Sequence, residues 1–191
     1  MKTKFLTLIL ILSTFLTTQA QDLKFGVKAG ANFSSLFGDS TDDIDGQTDF
    51  HVGGLVNIQL ISWLALQPEE VYSRQGYQYD SFAGFGENTG NLDYLNVPVL
   101  VDFTVVKGLS LHGGPQFGFN LVSEEDSNAG TTDVDARSVL IGNAIGIQYQ
   151  LPNLGLFFQA RYASDFVTAF NEDDIEAFNS TYSLSVGWFF D

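Results

Sequence analysis

The sequence predicts an all-β fold, an eight-stranded antiparallel up-and-down transmembrane β-barrel preceded by a cleaved signal peptide. Three observations carry that expectation. Apolar residues recur at every second position in eight successive segments, the spacing of strands with two distinct faces. The connections between those segments alternate between short and long. The 191-residue chain holds 18 Phe and 19 Gly but only 4 Pro, a composition that suits β structure and excludes a disordered acidic chain.

The first element is a targeting segment. Lys2 and Lys4 precede the apolar stretch Phe5 to Leu16, and Thr18-Gln19-Ala20 places small residues before Gln21. This is the layout of a secretory signal peptide over residues 1–20. A membrane-spanning helix needs about 20 apolar residues, and the stretch is too short. Residues 21–191 then form one barrel domain, with no later run able to cross a membrane as a helix.

The eight segments follow in order. Phe25, Val27, Ala29, Ala31 and Phe33 alternate with Lys24, Gly26, Lys28, Gly30 and Asn32. Phe50 to Leu60 sets Phe50, Val52, Gly54, Val56 and Ile58 against His51, Gly53, Leu55, Asn57 and Gln59. Trp63 to Gln75 sets Leu64, Leu66, Pro68 and Tyr72 against Ala65, Gln67, Glu69 and Ser73. Leu95, Val97, Val99, Val101 and Phe103 oppose Asn96, Pro98, Leu100 and Asp102. The second half repeats the scheme over Leu109–Asn120, Ser138–Tyr149, Leu156–Ala163 and Tyr182–Phe190. Connections near 61–62, 106–108 and 150–153 are fit for tight turns; those over 35–49, 76–91, 122–136 and 164–180 are long and polar. An up-and-down meander closed on itself, with both termini at the short-turn end, has this pattern.

Periodicity shows two faces but not which one is wet. A soluble lipocalin-type barrel turns its apolar face inward, and a membrane barrel turns it outward. Three features favour the membrane. The polar face carries small Gly, Ser, Asn and Gln groups and few Lys or Glu. The segments match the roughly 9–11 residues a tilted strand needs to cross a bilayer. Aromatic residues sit near segment ends, with Phe33, Tyr72, Tyr162 and Tyr182 toward the long connections and Trp63, Phe103, Tyr149 and Trp188 toward the short ones, as interfacial girdles do.

Five motifs fall in order along the chain: Lys28-Ala29-Gly30-Ala31-Asn32-Phe33-Ser34, Leu66-Gln67-Pro68-Glu69, Tyr94-Leu95-Asn96-Val97-Pro98-Val99-Leu100, Gly114-Pro115-Gln116-Phe117-Gly118 and Ser183-Leu184-Ser185-Val186-Gly187. Together they resemble the PorT-like outer-membrane β-barrel family of Bacteroidetes-type bacteria, over essentially the whole mature chain. The resemblance implies an eight-stranded barrel in the cell outer membrane. Most members have no assigned activity, and the namesake's link to secretion of surface proteases is not carried over.

Charge is sorted by position. The chain has 8 Lys+Arg and 23 Asp+Glu, a net of −15, which excludes a nucleic-acid partner. The four long connections hold seventeen acids and no Lys or Arg. Asp39, Asp42, Asp43 and Asp45 in one of them are a candidate set for Ca²⁺ or Mg²⁺, which take carboxylate oxygens, although the spacing is not that of an EF-hand. Solvation of the exposed end is the simpler reading. On the small-polar face, Lys28, Glu69, Asp102 and Arg161 are expected to pair inside a narrow lumen, because an unpaired buried charge is costly. With no Cys in the chain, disulfides, thiolate metal sites and a Cys nucleophile are excluded.

Three functions follow. The first is a non-catalytic barrel with a plugged polar lumen and acidic extracellular loops, in an envelope-structural or surface-binding role. It contacts outer-membrane lipid and lipopolysaccharide, and the barrel-assembly machinery during biogenesis. The second is an accessory part of protein secretion or transport. The third is a lipid-modifying enzyme, whose base would have to be His51 or His112. Both are expected to point inward, and neither segment carries a Gly-x-Ser-x-Gly pattern. Phe82-Ala83-Gly84-Phe85-Gly86 is the most adhesive-looking exposed piece, or a tuck over the barrel mouth.

Overall fold

Alternating side chains become alternating faces in nine strands: β1 (Leu23–Phe37), β2 (Asp45–Ile61), β3 (Leu64–Asp80), β4 (Glu87–Val106), β5 (Leu109–Ser127), β6 (Gly130–Asp133), β7 (Val139–Gln150), β8 (Leu156–Thr168) and β9 (Phe178–Phe190). The structure is a computed structural model and describes residues 22–38, 41, 44–80, 87–127, 130–171 and 176–190. The expected signal peptide, residues 1–20, and the Phe82–Gly86 piece lie outside the described residues.

All neighbouring strands are antiparallel. β1 pairs with both β2 and β9, and β4 pairs with both β3 and β5, so the sheet closes into a ring. Eight strands form the ring, as the sequence predicts. The ninth, β6, pairs with the end of β5 alone, over Glu124–Ser127. Its four residues, Gly-Thr-Thr-Asp, are all exposed and carry no apolar alternation, so periodicity cannot reveal it.

Short turns close one end. Gly108 has φ +86° and joins β4 to β5. A side chain there would be strained, and a Cβ would also meet the Gln150 carbonyl at 2.6 Å. That region is fixed by Gln150 N–H donating to Gly108 O at 2.7 Å, and the β7–β8 turn by Leu151 N–H donating to Leu156 O at 2.9 Å.

The other end differs from expectation. Much of the long connections is sheet: β3 and β4 continue to Asp80 and Glu87, and β5 reaches Ser127. Two further pieces fold inward. Ala136, Ala169 and Ala177 are buried against Leu36, Tyr77, Leu92, Tyr94 and Leu140 at the end of the barrel interior, and Phe170 meets Tyr77 edge-on with centroids 6.0 Å apart. Arg137 clamps the cap by donating from Nε to Thr168 O at 3.0 Å and from Nη2 to Thr168 Oγ1 at 3.1 Å. Asp165, assigned by sequence to a solvated loop, is buried in β8.

The barrel is inverted relative to a water-soluble protein. Among the described residues 24 buried side chains are polar or charged and 15 are apolar, while Phe25, Val52, Ile145, Leu184 and 27 other large apolar residues are exposed. Aromatic pairs mark both edges of this outer band. Tyr162 and Tyr182 lie 4.7 Å apart and Phe50 and Tyr72 6.0 Å apart toward the long connections, with Trp63 and Phe103 at 6.1 Å near the turns.

Candidate functional site

Position parity brings the lumen charges together. Lys28 is the sixth residue of β1, Glu69 the sixth of β3 and Arg161 the sixth of β8, so all three project inward at similar height. Lys28 Nζ donates to Glu69 Oε2 at 2.7 Å. Arg161 donates in a fork, Nη1 to Oε2 at 2.8 Å and Nη2 to Oε1 at 2.7 Å. Such bidentate, charge-assisted bonds are the strong class. Gln67 adds a fourth donor to Glu69 at 2.9 Å, and Gln159 accepts from Lys28 at 2.9 Å. The carboxylate thus sits between two cations with its oxygens satisfied.

Asp102 does not join this group, contrary to the expected pairing of two cations with two anions. It accepts from Ser110 Oγ at 2.9 Å, and its lateral neighbours are Ala65 on β3 and His112 on β5. Ala65 stands four residues nearer the short turns than Glu69 on the same strand, so Asp102 lies below the level of the cluster. The Lys28–Glu69–Arg161 group therefore carries one net positive charge, shared further when Arg161 Nε donates to His112 Nε2 at 3.3 Å.

Sequence reasoning missed two features. The amides Gln67, Gln159, Asn57 and Gln148 knit the charges to the wall: Asn57 Nδ2 donates to Gln67 Oε1 at 3.0 Å and Gln159 Nε2 to Gln148 Oε1 at 3.1 Å. Their recurrence at alternate inward positions was the available signal. The second is an apolar cluster of Leu55, Phe157 and Phe189 inside the ring, with the two rings 4.8 Å apart. Phe157 and Phe189 fall on the small-polar face, where glycines on adjoining strands make room: a Cβ on Gly187 would overlap the Phe157 ring. Two bulky rings among small residues were the clue.

His51 forms a second network. Its Nδ1 and Asn32 Oδ1 lie 2.8 Å apart, and its Nε2 and Ser185 Oγ also 2.8 Å. An amide oxygen can only accept, so Nδ1 carries the proton and Ser185 donates to Nε2. The order hydroxyl, imidazole, amide matches that of a nucleophile, a base and an orienting group. All three are buried, and the adjoining space between Lys28, Ser73, Gln75 and Arg161 is about 30 Å³. A second interior space near Asp165 is about 10 Å³. A water needs about 10–15 Å³, so these spaces take isolated waters and no acyl or peptide substrate.

The candidate cation set falls mostly beyond what the structure describes. Asp39, Asp42 and Asp43 lie outside the described residues, and Asp45 is exposed at the start of β2. Among the described residues no three potential ligands cluster. Other acids at this end are tied locally: Glu125 accepts from Tyr79 Oη at 2.6 Å, a bond that with burial holds the Tyr79 phenol above its ordinary pKa, and Asp126 accepts from Asn91 at 3.1 Å.

The model of one family, described as outer membrane protein beta-barrel domain, matches residues 19–191. Solved structures share the fold at low identity. Ail, the attachment invasion locus protein of Yersinia pestis, is 16% identical with a TM-score of 0.57, covering 87% of this chain and 98% of its own. Neisserial surface protein A is 14% identical at TM-score 0.58, covering 87% and 97%. OprG of Pseudomonas aeruginosa is 13% identical at 0.52, covering 89% and 97%. No curated protein sequence matches the chain.

Proposed function

This chain belongs to the outer membrane protein beta-barrel domain family, and from that premise we propose that it is a non-catalytic outer-membrane barrel, sealed along its axis, that contributes to the envelope and displays an acidic surface. The single observation that carries the reading is the layered interior: an apolar cap, a bonded charge cluster around Glu69, and the Leu55–Phe157–Phe189 plug. An eight-stranded ring leaves room only for its own side chains, and an ion crossing this one would have to break buried pairs. The termini face the periplasm and the long connections face outward; the placement of both chain ends beside the short turns supports that orientation. The sequence motifs support assignment to the PorT-like branch.

The partners that fit are outer-membrane lipid along the apolar wall, lipopolysaccharide at the aromatic edge and the barrel-assembly machinery during insertion. The acidic end works by its net charge rather than through a formed Ca²⁺ site. One solved structure of Ail holds a heparin analogue, sucrose octasulfate; a polyanion of that kind is repelled by the excess of carboxylates in the long connections. Non-catalysis is supported by the lack of substrate space around His51.

The test is purified protein in planar bilayers together with protease treatment of intact cells. The expected results are no discrete conductance steps and cleavage confined to the long connections. Stepwise ion conductance would overturn the sealed lumen, and cleavage at the short turns would overturn the orientation. Calcium titration to millimolar is expected to give no saturable heat.

A further inference from the structure

One ionisable side chain faces the wrong way. Glu70 follows the lumen hub Glu69, so strand alternation turns it to the outer wall, and it is exposed there. Its register partner is Gly54 on β2, and the next outward pair toward the long connections is Val52 with Tyr72. Two residues of strand span about 7 Å, so Glu70 lies inside the apolar band, below the Phe50–Tyr72 aromatic pair. Its carboxylate has no hydrogen-bond or ion-pair partner among the described residues. Beside it runs a groove on the outer surface of about 410 Å³, lined by Phe25, Gly26, Gly54, Val56, Pro68 and Val97. Gly54 forms its floor: a Cβ there would meet nothing nearer than 3.9 Å.

Lipid tails offer a carboxylate neither counter-charge nor hydrogen bond, and ionisable groups within a membrane mark functional sites. We propose that Glu70 and the Gly54 groove form a docking site for a membrane-embedded segment of another protein that carries a Lys or Arg in its apolar surface. The small residues let that segment approach the wall closely, and Glu70 meets its cation. Among the described residues, a second copy of this chain does not supply that cation. Lys28 and Arg161 face the lumen, Lys24 and Lys107 lie at the short-turn end, Arg137 clamps the cap, and Arg74 sits beyond the aromatic pair beside Asp49 and Asp93.

The site is tested with the full chain in phospholipid nanodiscs, using fluorescence transfer to a synthetic Leu-rich spanning helix. One helix carries a single Lys at the depth of Glu70 and a control helix carries Leu there. The Lys helix is expected to associate at least tenfold more strongly than the control. Glu70→Leu is expected to remove the difference, and Gly54→Leu, which fills open space, to weaken association at least fivefold with Glu70 intact. Equal association of both helices, or insensitivity to Glu70→Leu, overturns the proposal. Sensitivity to Glu70→Leu without sensitivity to Gly54→Leu reduces the site to bare charge attraction and overturns the groove. Transfer between labelled barrels that Glu70→Leu abolishes would assign the face to a second copy and overturn the basic partner. Failure of the barrel to insert at all would instead refute the membrane fold on which the proposal rests.

Discussion

Glu69 is the residue whose loss the interior can least absorb. It takes two bonds from Arg161, one from Lys28 and one from Gln67. Glu69→Gln leaves two buried cations facing each other, and breaking a buried pair in this way costs about 3–5 kcal/mol. Arg161→Ala is expected to fall in the same range, measured by denaturant unfolding in lipid vesicles. Asp133→Ala, on the exposed four-residue strand, should stay within about 0.5 kcal/mol. Asp102→Asn keeps the Ser110 bond and is expected to cost less than about 1.5 kcal/mol. If Asp102→Asn matched Glu69→Gln, Asp102 would be part of the cluster after all. Position parity made the inward direction of all four charges legible in the sequence. Their partners were not, because pairing across a lumen depends on which strands stand opposite, and alternation is silent about that.

At the level of the strand, β8 carries its own control. Phe157 is buried against Phe189 and Phe158 faces outward at 46% exposure, so two adjacent phenylalanines test one alternation. Phe157→Ala opens a cavity and is expected to cost about 3–5 kcal/mol. Phe158→Ala keeps its surroundings and should cost about half as much or less. Equal costs would mean that the two faces are not different environments. The cap gives a second expectation: Arg137→Ala removes the bonds to Thr168 and should speed protease cleavage after Thr168 while leaving the barrel resistant to heat in detergent. Period-two spacing disclosed the eight ring strands because each has one face in the apolar band. It did not disclose the upper extensions of β4 and β5 or the cap, whose residues no longer alternate between lipid and lumen. Tyr77, Leu92, Ala136 and Ala177 instead pack against one another, a tertiary contact without a local period.

The whole molecule is held by one seam between its first and last strands. β1 and β9 share a register from Phe25–Phe190 to Phe37–Phe178. Deleting residues 178–191 removes the partner of both β1 and β8, and the truncated chain is expected to lose the compact heat-modifiable band on electrophoresis entirely, not to run as a smaller barrel. A residual folded band would show that seven strands can close without β9. Fold class was legible at this scale from connection lengths and aromatic placement together. The inward contact of Phe157 with Phe189 was not, since the two rings come from separate strands.

That seam has a bearing on biogenesis. Backbone groups left unmatched in hydrocarbon are costly, and an unfinished sheet exposes two rows of them, one along β1 and one along whichever strand was made latest. Neither row is quenched until Phe178–Phe190 arrives. Closure is therefore indivisible: neither open edge is matched until the last strand lies between β8 and β1.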